Sequence, residues 1–227
     1  MAKMLQRLAI IVTDAREIIT TQQSRRQAAL GLPAGTSVLS HLLSQLAQVG
    51  VQKTVILTRH GVGNLDLGSR NGLNGMELCL RVLPTPNAGR LIHALTVDEI
   101  SEVCGDVFVF TENLNIDPSL IERLAQSSKS NLVVVGSVHS HRSLRLLMSK
   151  TLRFTAILPQ GSVGGRNVSA DLGPVGVYKF EPKFLRSIAR NRRGRSNDDL
   201  EFFEAALGRQ AYEMHVMHGG TTLRRES

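Results

Sequence analysis

Tryptophan is absent from this chain, and its aromatic rings come from only two tyrosines and seven phenylalanines. So sparse a set offers no stacking platform for single-stranded nucleic acid, where successive bases need successive aromatic faces. Cysteine is scarce as well: Cys79 and Cys104 are the only two. That is too few for a disulfide scaffold and fits reduced thiols in a cytoplasmic protein. No apolar run approaches the roughly 18 to 20 residues that a membrane-spanning helix needs, so a membrane partner is not expected. The apolar stretch Leu8–Val12, behind Lys3 and Arg7, is too short for the core of a secretory signal, and no small-residue cleavage site follows it. A cytoplasmic location is the expectation. Acidic residues are outnumbered, 19 against 27 lysines and arginines, for a net charge of +8. Such a surface favours anionic partners: nucleotides, phosphorylated small molecules or nucleic acid. Much of the excess is local, in Arg186, Arg190, Arg192, Arg193 and Arg195, with Arg224 and Arg225 near the C-terminus.

What is present is the alternation of an α/β domain. Hydrophobic residues make up 42% of 227 positions, enough for one sizeable core, and residues 1–227 read as a single domain without repeats or a low-complexity linker. Leu8-Ala-Ile-Ile-Val12 is a continuous apolar run rich in β-branched residues, the mark of a strand buried on both faces. Leucines at helical spacing predict a helix from about Ser37 to Val49, with Ser37 as N-cap and Gly50 as the stop. Val51–Leu57 follows as a strand. The glycines at 61, 63, 68, 72 and 75 mark a loop from Arg59 to Gly75. Further on, strands are expected at Glu77–Leu83, Asp106–Thr111, Asn131–Val138, Leu152–Leu158 and Val175–Phe180. Helices are expected at Arg90–Val103, after the Asp117-Pro118 cap, at Pro182–Ala189 and at Asp198–Leu207, with a last apolar stretch at Tyr212–Met217. The predicted fold class is α/β: a Rossmann-like, mostly parallel central sheet flanked by helices.

In their order and spacing these segments resemble the sugar-phosphate nucleotidylyltransferase superfamily, whose fold is of the nucleotide-diphospho-sugar transferase type. Leu32-Pro33 stands where that family has a Leu-Pro turn. Ser37-Val-Leu-Ser-His-Leu-Leu-Ser-Gln-Leu-Ala-Gln-Val-Gly-Val51 looks like its first helix running into strand two. Gly89 with Ala94-Leu95 is similar to the segment that reads the nucleotide base. Gly105-Asp-Val-Phe-Val-Phe-Thr111 followed by Asp117-Pro118 resembles the central strand and its turn. Val175-Gly-Val-Tyr178 resembles the sugar-side segment, and Gly220-Thr221 the closing one. The resemblance covers nearly the whole chain.

That resemblance implies attack by a phosphate oxygen on the α-phosphorus of a nucleoside triphosphate, with Mg²⁺ and basic side chains neutralising charge. Carried onto this sequence, Thr13, Asp14, Ala15 and Gly89 would bind the nucleotide. Arg16, Arg25 and Arg26 would hold phosphates, Glu112 and Asn113 would take the metal, and Gly176 and Tyr178 would stand on the substrate side. The chemistry nevertheless departs from the family pattern at four places. The glycine-rich phosphate loop is replaced by Thr13-Asp-Ala-Arg-Glu-Ile-Ile19, whose Cβ atoms crowd a phosphate. No lysine occurs between Lys3 and Lys53. The metal-binding Gly-Asp reads Glu112-Asn113, and the closing aspartate position reads His218, a poor ligand for a hard cation.

Two readings therefore stand side by side. One is an active nucleotidyltransferase; the other is a non-catalytic relative that binds a nucleotide, a protein partner or a second copy of itself. A third, nucleic-acid binding through Arg186–Arg195, rests on charge alone. Other constellations have plainer explanations. His139-Ser-His141 lacks a sure third ligand, Gly161–Asn167 reads as a turn, and Asp198-Asp199 reads as the opening of a helix.

Overall fold

The computed structural model describes residues 5–13, 38–58, 73, 75–83, 91–111, 116–137, 145–148, 154–158, 172–191, 199–207 and 214–218. Seven strands form one sheet in the order β3-β2-β1-β4-β8-β5-β9. They are β1 (Leu5–Thr13), β2 (Lys53–Thr58), β3 (Glu77–Val82), β4 (Val103–Thr111), β5 (Leu132–Ser137), β8 (Leu172–Phe180) and β9 (His215–His218). All neighbours pair in parallel except β8, which runs antiparallel to both β4 and β5. The expected Rossmann-like, mostly parallel architecture is thus present. A separate two-stranded antiparallel sheet joins β6 (Arg145–Met148) and β7 (Phe154–Leu158).

Alternation along each buried strand feeds two apolar layers. Leu8, Ile10 and Val12 of β1 face Val55, Leu57, Val107, Val109 and a ring cluster built from Tyr178, Phe180, Phe184, Phe202 and Phe203. Those last three belong to α3 (Pro182–Asn191) and α4 (Asp199–Leu207). Ala9 and Ile11 face the other way, onto α1 (Val38–Gln48) and α2 (Pro118–Gln126), with Phe108, Phe110 and Val134 beside them. Because every strand of this central group is covered on both sides, the sequence shows continuous apolar runs rather than a two-residue alternation.

Local rules set the element ends. At the end of α1 the Val51 N–H reaches the Leu46 carbonyl at 3.0 Å, and the Gly50 N–H reaches that of Ala47 at 3.1 Å. This is a Schellman motif, and it needs the left-handed φ of +80° that Gly50 adopts. It also absorbs Val51 and Gln52, so β2 begins at Lys53 instead of Val51. At the start of α2, Asp117 accepts a hydrogen bond from the Ser119 N–H at 2.9 Å and Pro118 occupies the first turn, as the Asp-Pro pair predicts.

One expected element is different in kind. In place of an α-helix over Arg90–Val103 there are two 3-10 helices, Leu91–Thr96 and Asp98–Glu102. Between them Val97 is extended (φ −84°, ψ 111°). The Thr96 hydroxyl turns back to donate to the His93 carbonyl at 2.8 Å. The β-branched pair Thr96-Val97 resists the α conformation at this point, and Val103 already belongs to β4. The strand Arg145–Met148 was not expected either, and β8 begins three residues earlier than Val175.

Candidate functional site

With β8 the exception, the strands end at one edge, at Thr13, Thr58, Val82, Thr111, Ser137 and His218, and β8 starts there at Leu172. The strand order reverses between β1 and β4: β1 is followed by β2 on one side, while β4 leads to β5 on the other. In open α/β sheets this reversal, at the carboxyl ends of the strands, is where ligands bind. Register brings the two ends level, since Val12 pairs with Thr111 and Thr13 with Thr58. Thr13, Thr58 and Thr111 are all buried there, each at most 3% exposed.

The candidate residues sort clearly around this edge. Thr13 is the last residue of β1. Asp14, Ala15, Arg16, Arg25 and Arg26 belong to the connection that leaves it, and Glu112 and Asn113 to the one that leaves Thr111 on the adjacent strand. Gly89 lies in the connection between β3 and the first 3-10 helix. The structure thus sets side by side the strand ends from which the phosphate and metal candidates depart. Asp14, Ala15, Arg16, Arg25, Arg26, Gly89, Glu112 and Asn113 themselves lie outside the described residues, as do Ser37, His139, His141, the Gly161–Asn167 turn, Arg192, Arg193, Arg195, Asp198 and Gly220-Thr221. His218 closes β9, three strand spacings from β4 in the sheet order.

The two residues expected on the substrate side part company. Tyr178 is 2% exposed, its ring stacked on Phe180 at 5.7 Å and tilted against Phe203 at 6.2 Å. It is a core residue in the middle of β8. Gly176 stands at the edge, with a left-handed φ of +81°. Its backbone is seated on Thr111 so closely that a Cβ would overlap the Thr111 carbonyl oxygen and come within 2.9 Å of the hydroxyl. Here β8 bulges: its pairing with β5 steps from Val133↔Tyr178 to Val135↔Pro174, leaving extra residues around Gly176. Sequence reasoning missed this contact. Its one trace is a glycine inside an otherwise β-branched strand, which marks a bulge or a close backbone approach.

Two polar devices hold the 3-10 segment that follows Gly89. The Leu91 N–H donates to the Asp199 carboxylate of α4 at 2.6 Å. The buried Glu99 carboxylate takes Arg81 of β3 on both oxygens, at 2.7 and 2.8 Å, and Lys53 of β2 at 3.4 Å. Burial opposes charge on Lys53 and on Arg81. For Lys53 it is outweighed by Glu77 and Glu99; for Arg81, by Cys79, Glu99 and Asp98. Both cations therefore hold their protons above their ordinary ranges. At the opposite edge of the sheet, Arg7 donates to the Val49 and Ala125 carbonyls and Lys179 to the Ser127 carbonyl at 2.7 Å. Asp106 lies beside both cations. These groups cap the C-terminal ends of α1 and α2.

Among the described residues no cluster of three histidine, cysteine, aspartate or glutamate side chains is arranged to hold a metal ion. Cys79 and Cys104 are free thiols. No described helix is long and apolar enough to cross a membrane.

No protein-family model matches the chain. An uncharacterised protein, y4rO of Sinorhizobium fredii (strain NBRC 101917 / NGR234), is 50% identical over 214 residues, covering 94% of this chain and 35% of that protein. The CMP-5'-(3-aminopropyl)phosphonate synthase of Streptomyces rubellomurinus is 29% identical over 207 residues, covering 87% of this chain and 30% of the synthase. The chain therefore spans about a third of the length of the curated relatives it matches.

Proposed function

We propose that this chain is a nucleotidyltransferase domain of the sugar-phosphate nucleotidylyltransferase type. It would transfer a nucleotidyl group from a nucleoside triphosphate to a small molecule bearing a phosphate or phosphonate. The observation that carries the reading is the similarity, over 87% of the chain, to an enzyme named for making a CMP–phosphonate conjugate. The reversal of strand order at β1 and β4 supports it, because that is where an α/β sheet receives a nucleotide.

In the reaction, an oxygen of the acceptor's phosphoryl or phosphonyl group forms a bond to the α-phosphorus. The bond from that phosphorus to the bridging oxygen of pyrophosphate breaks, and pyrophosphate leaves with the electron pair. Arg16, Arg25 and Arg26 would oppose the triphosphate charge, a task a guanidinium performs in bidentate fashion. Thr13, Asp14, Ala15 and Gly89 would line the nucleotide, and the backbone at Gly176 would face the acceptor. Glu112 and Asn113 offer hard oxygen donors of the kind Mg²⁺ prefers, one charged and one neutral. When bound, the ion would neutralise developing charge on the phosphates.

A second reading, nucleotide binding without turnover, is favoured by one specific feature: Thr13–Ile19 has no glycine to let backbone N–H groups reach a phosphate. The two separate in one experiment. The chain is incubated with each nucleoside triphosphate, Mg²⁺ and 3-aminopropylphosphonate or a phosphosugar panel, and pyrophosphate release and thermal shift are read together. Release that requires both triphosphate and acceptor supports transfer. A thermal shift without release supports the second reading, and neither signal sinks both.

A further inference from the structure

The structure assigns a positioning role to the Gly176 bulge: by seating β8 on the Thr111 backbone it fixes the point at which the chain turns off β4 toward Glu112 and Asn113. Three independent features meet there. The φ of Gly176 is +81°, a conformation that glycine takes without strain and other residues take at a cost. Its approach to Thr111 is backbone on backbone, so no side-chain rotation can relieve a larger residue. The pairing of β8 with β5 changes register at this point, while its pairing with β4 stops at Phe110↔Val177, one residue before the contact. A bulge that only bent the strand would have no need to press on its neighbour. This one bears on the last residue of β4, Thr111, whose side chain is 3% exposed and whose next neighbour in the chain is the candidate metal carboxylate.

The consequence for chemistry rests on the nucleotidyltransferase reading. If Glu112 helps to hold the metal, Gly176 acts through Thr111 on metal binding without touching the ion, as supporting residues around metal ligands do. A Cβ at 176 would displace the Thr111 carbonyl and with it the start of the 112–115 segment. Tyr178, two residues further along, would stay in its ring cluster, so the core need not share the disturbance.

The test uses the full chain, wild type and Gly176→Ala, with Gly176→Asn as the second variant because asparagine tolerates the left-handed region. Amide NMR shifts are compared without metal, and Mn²⁺ affinity is measured in the presence of a nonhydrolysable nucleoside triphosphate. The expected result is movement of the Glu112 and Asn113 amides in the variants, and Mn²⁺ binding weakened about tenfold or more. Combining Gly176→Ala with Glu112→Gln should weaken it little beyond Glu112→Gln alone, as coupled positions do. Shifts confined to residues 174–178, or additive losses in the double variant, overturn the positioning role. Movement at 112 and 113 in a wild-type background that binds no Mn²⁺ would keep the positioning and discard the metal reading.

Discussion

Two cations share the Glu99 carboxylate, Arg81 through both oxygens and Lys53 through one, and Glu99 itself is only 5% exposed. Replacing it with glutamine leaves two positive groups facing a neutral amide in a largely dry place. Glu99→Gln should cost about 2 to 3 kcal/mol, since part of the loss is offset by Glu77 beside Lys53 and Asp98 beside Arg81. The check is a urea midpoint lowered at unchanged slope. Lys53 adds a pH signature with a definite sign. Its folded-state pKa is raised from the ordinary 10.5, so its contribution is fully present below that value and is lost as pH climbs through the higher folded one. The stability gap between wild type and Lys53→Met should accordingly be constant through neutral pH and narrow above it, in the strongly alkaline range. A gap that widened there would refute the assignment. Gly50 gives the opposite kind of case. A Cβ there would meet only Arg7, at an ordinary 3.8 Å, so Gly50→Ala should cost just the left-handed conformation, about 1 kcal/mol.

At the scale of elements, the first 3-10 helix starts on a hydrogen bond from a distant partner. Asp199 opens α4, yet its carboxylate accepts the Leu91 N–H across the ring cluster. The sequence marks this aspartate as part of a helix opening, and a carboxylate at that position has a local use. Its second use, on an element far away in the chain, leaves no local pattern to read. Asp199→Ala should lower stability by about 1 to 2 kcal/mol, the cost of losing a cap. The loss should also be uneven: amide exchange should speed up at Leu91–Thr96 more than in β1 or β4. Equal acceleration everywhere would mean the bond is only one among many. The same segment shows why an α-helix was expected and is not found. Leu91, Ile92, Ala94 and Leu95 have helical spacing, but the spacing alone cannot register that Thr96 returns its hydroxyl to His93 while Val97 goes extended. Where a run was long and apolar, as in Leu8–Val12 or Leu132–Val135, element type was legible because burial on both faces leaves no other arrangement.

The order of strands in the whole molecule was beyond such reading. That β8 would slip between β4 and β5 and run against them depends on pairing across distant segments, which period and propensity do not encode. The candidate site was legible in the opposite way. Its residue types came from a resemblance in order and spacing, and the sheet then showed that the connections carrying Arg16, Arg25, Arg26, Glu112 and Asn113 leave from neighbouring strand ends. Net charge belongs to this scale too. A surface of +8 attracts a nucleoside triphosphate and a nucleic acid alike, but the two differ in how many phosphates they present. A protein that neutralises six to ten phosphates of a duplex loses roughly 10³ to 10⁵ in affinity between 50 and 200 mM salt, because each contact releases a counterion. A single triphosphate in a crevice involves only about three phosphates and should lose far less over the same range, on the order of tenfold. Titrating a fluorescent nucleoside triphosphate and a labelled 20-base-pair duplex at both salt concentrations decides between them. Nucleotide binding that survives 200 mM salt, with duplex binding abolished, is the expected outcome. If the duplex binds well at 200 mM while the nucleotide does not bind at either concentration, the basic run from Arg186 to Arg195 is a nucleic-acid surface and the crevice at β1 and β4 is not a nucleotide site.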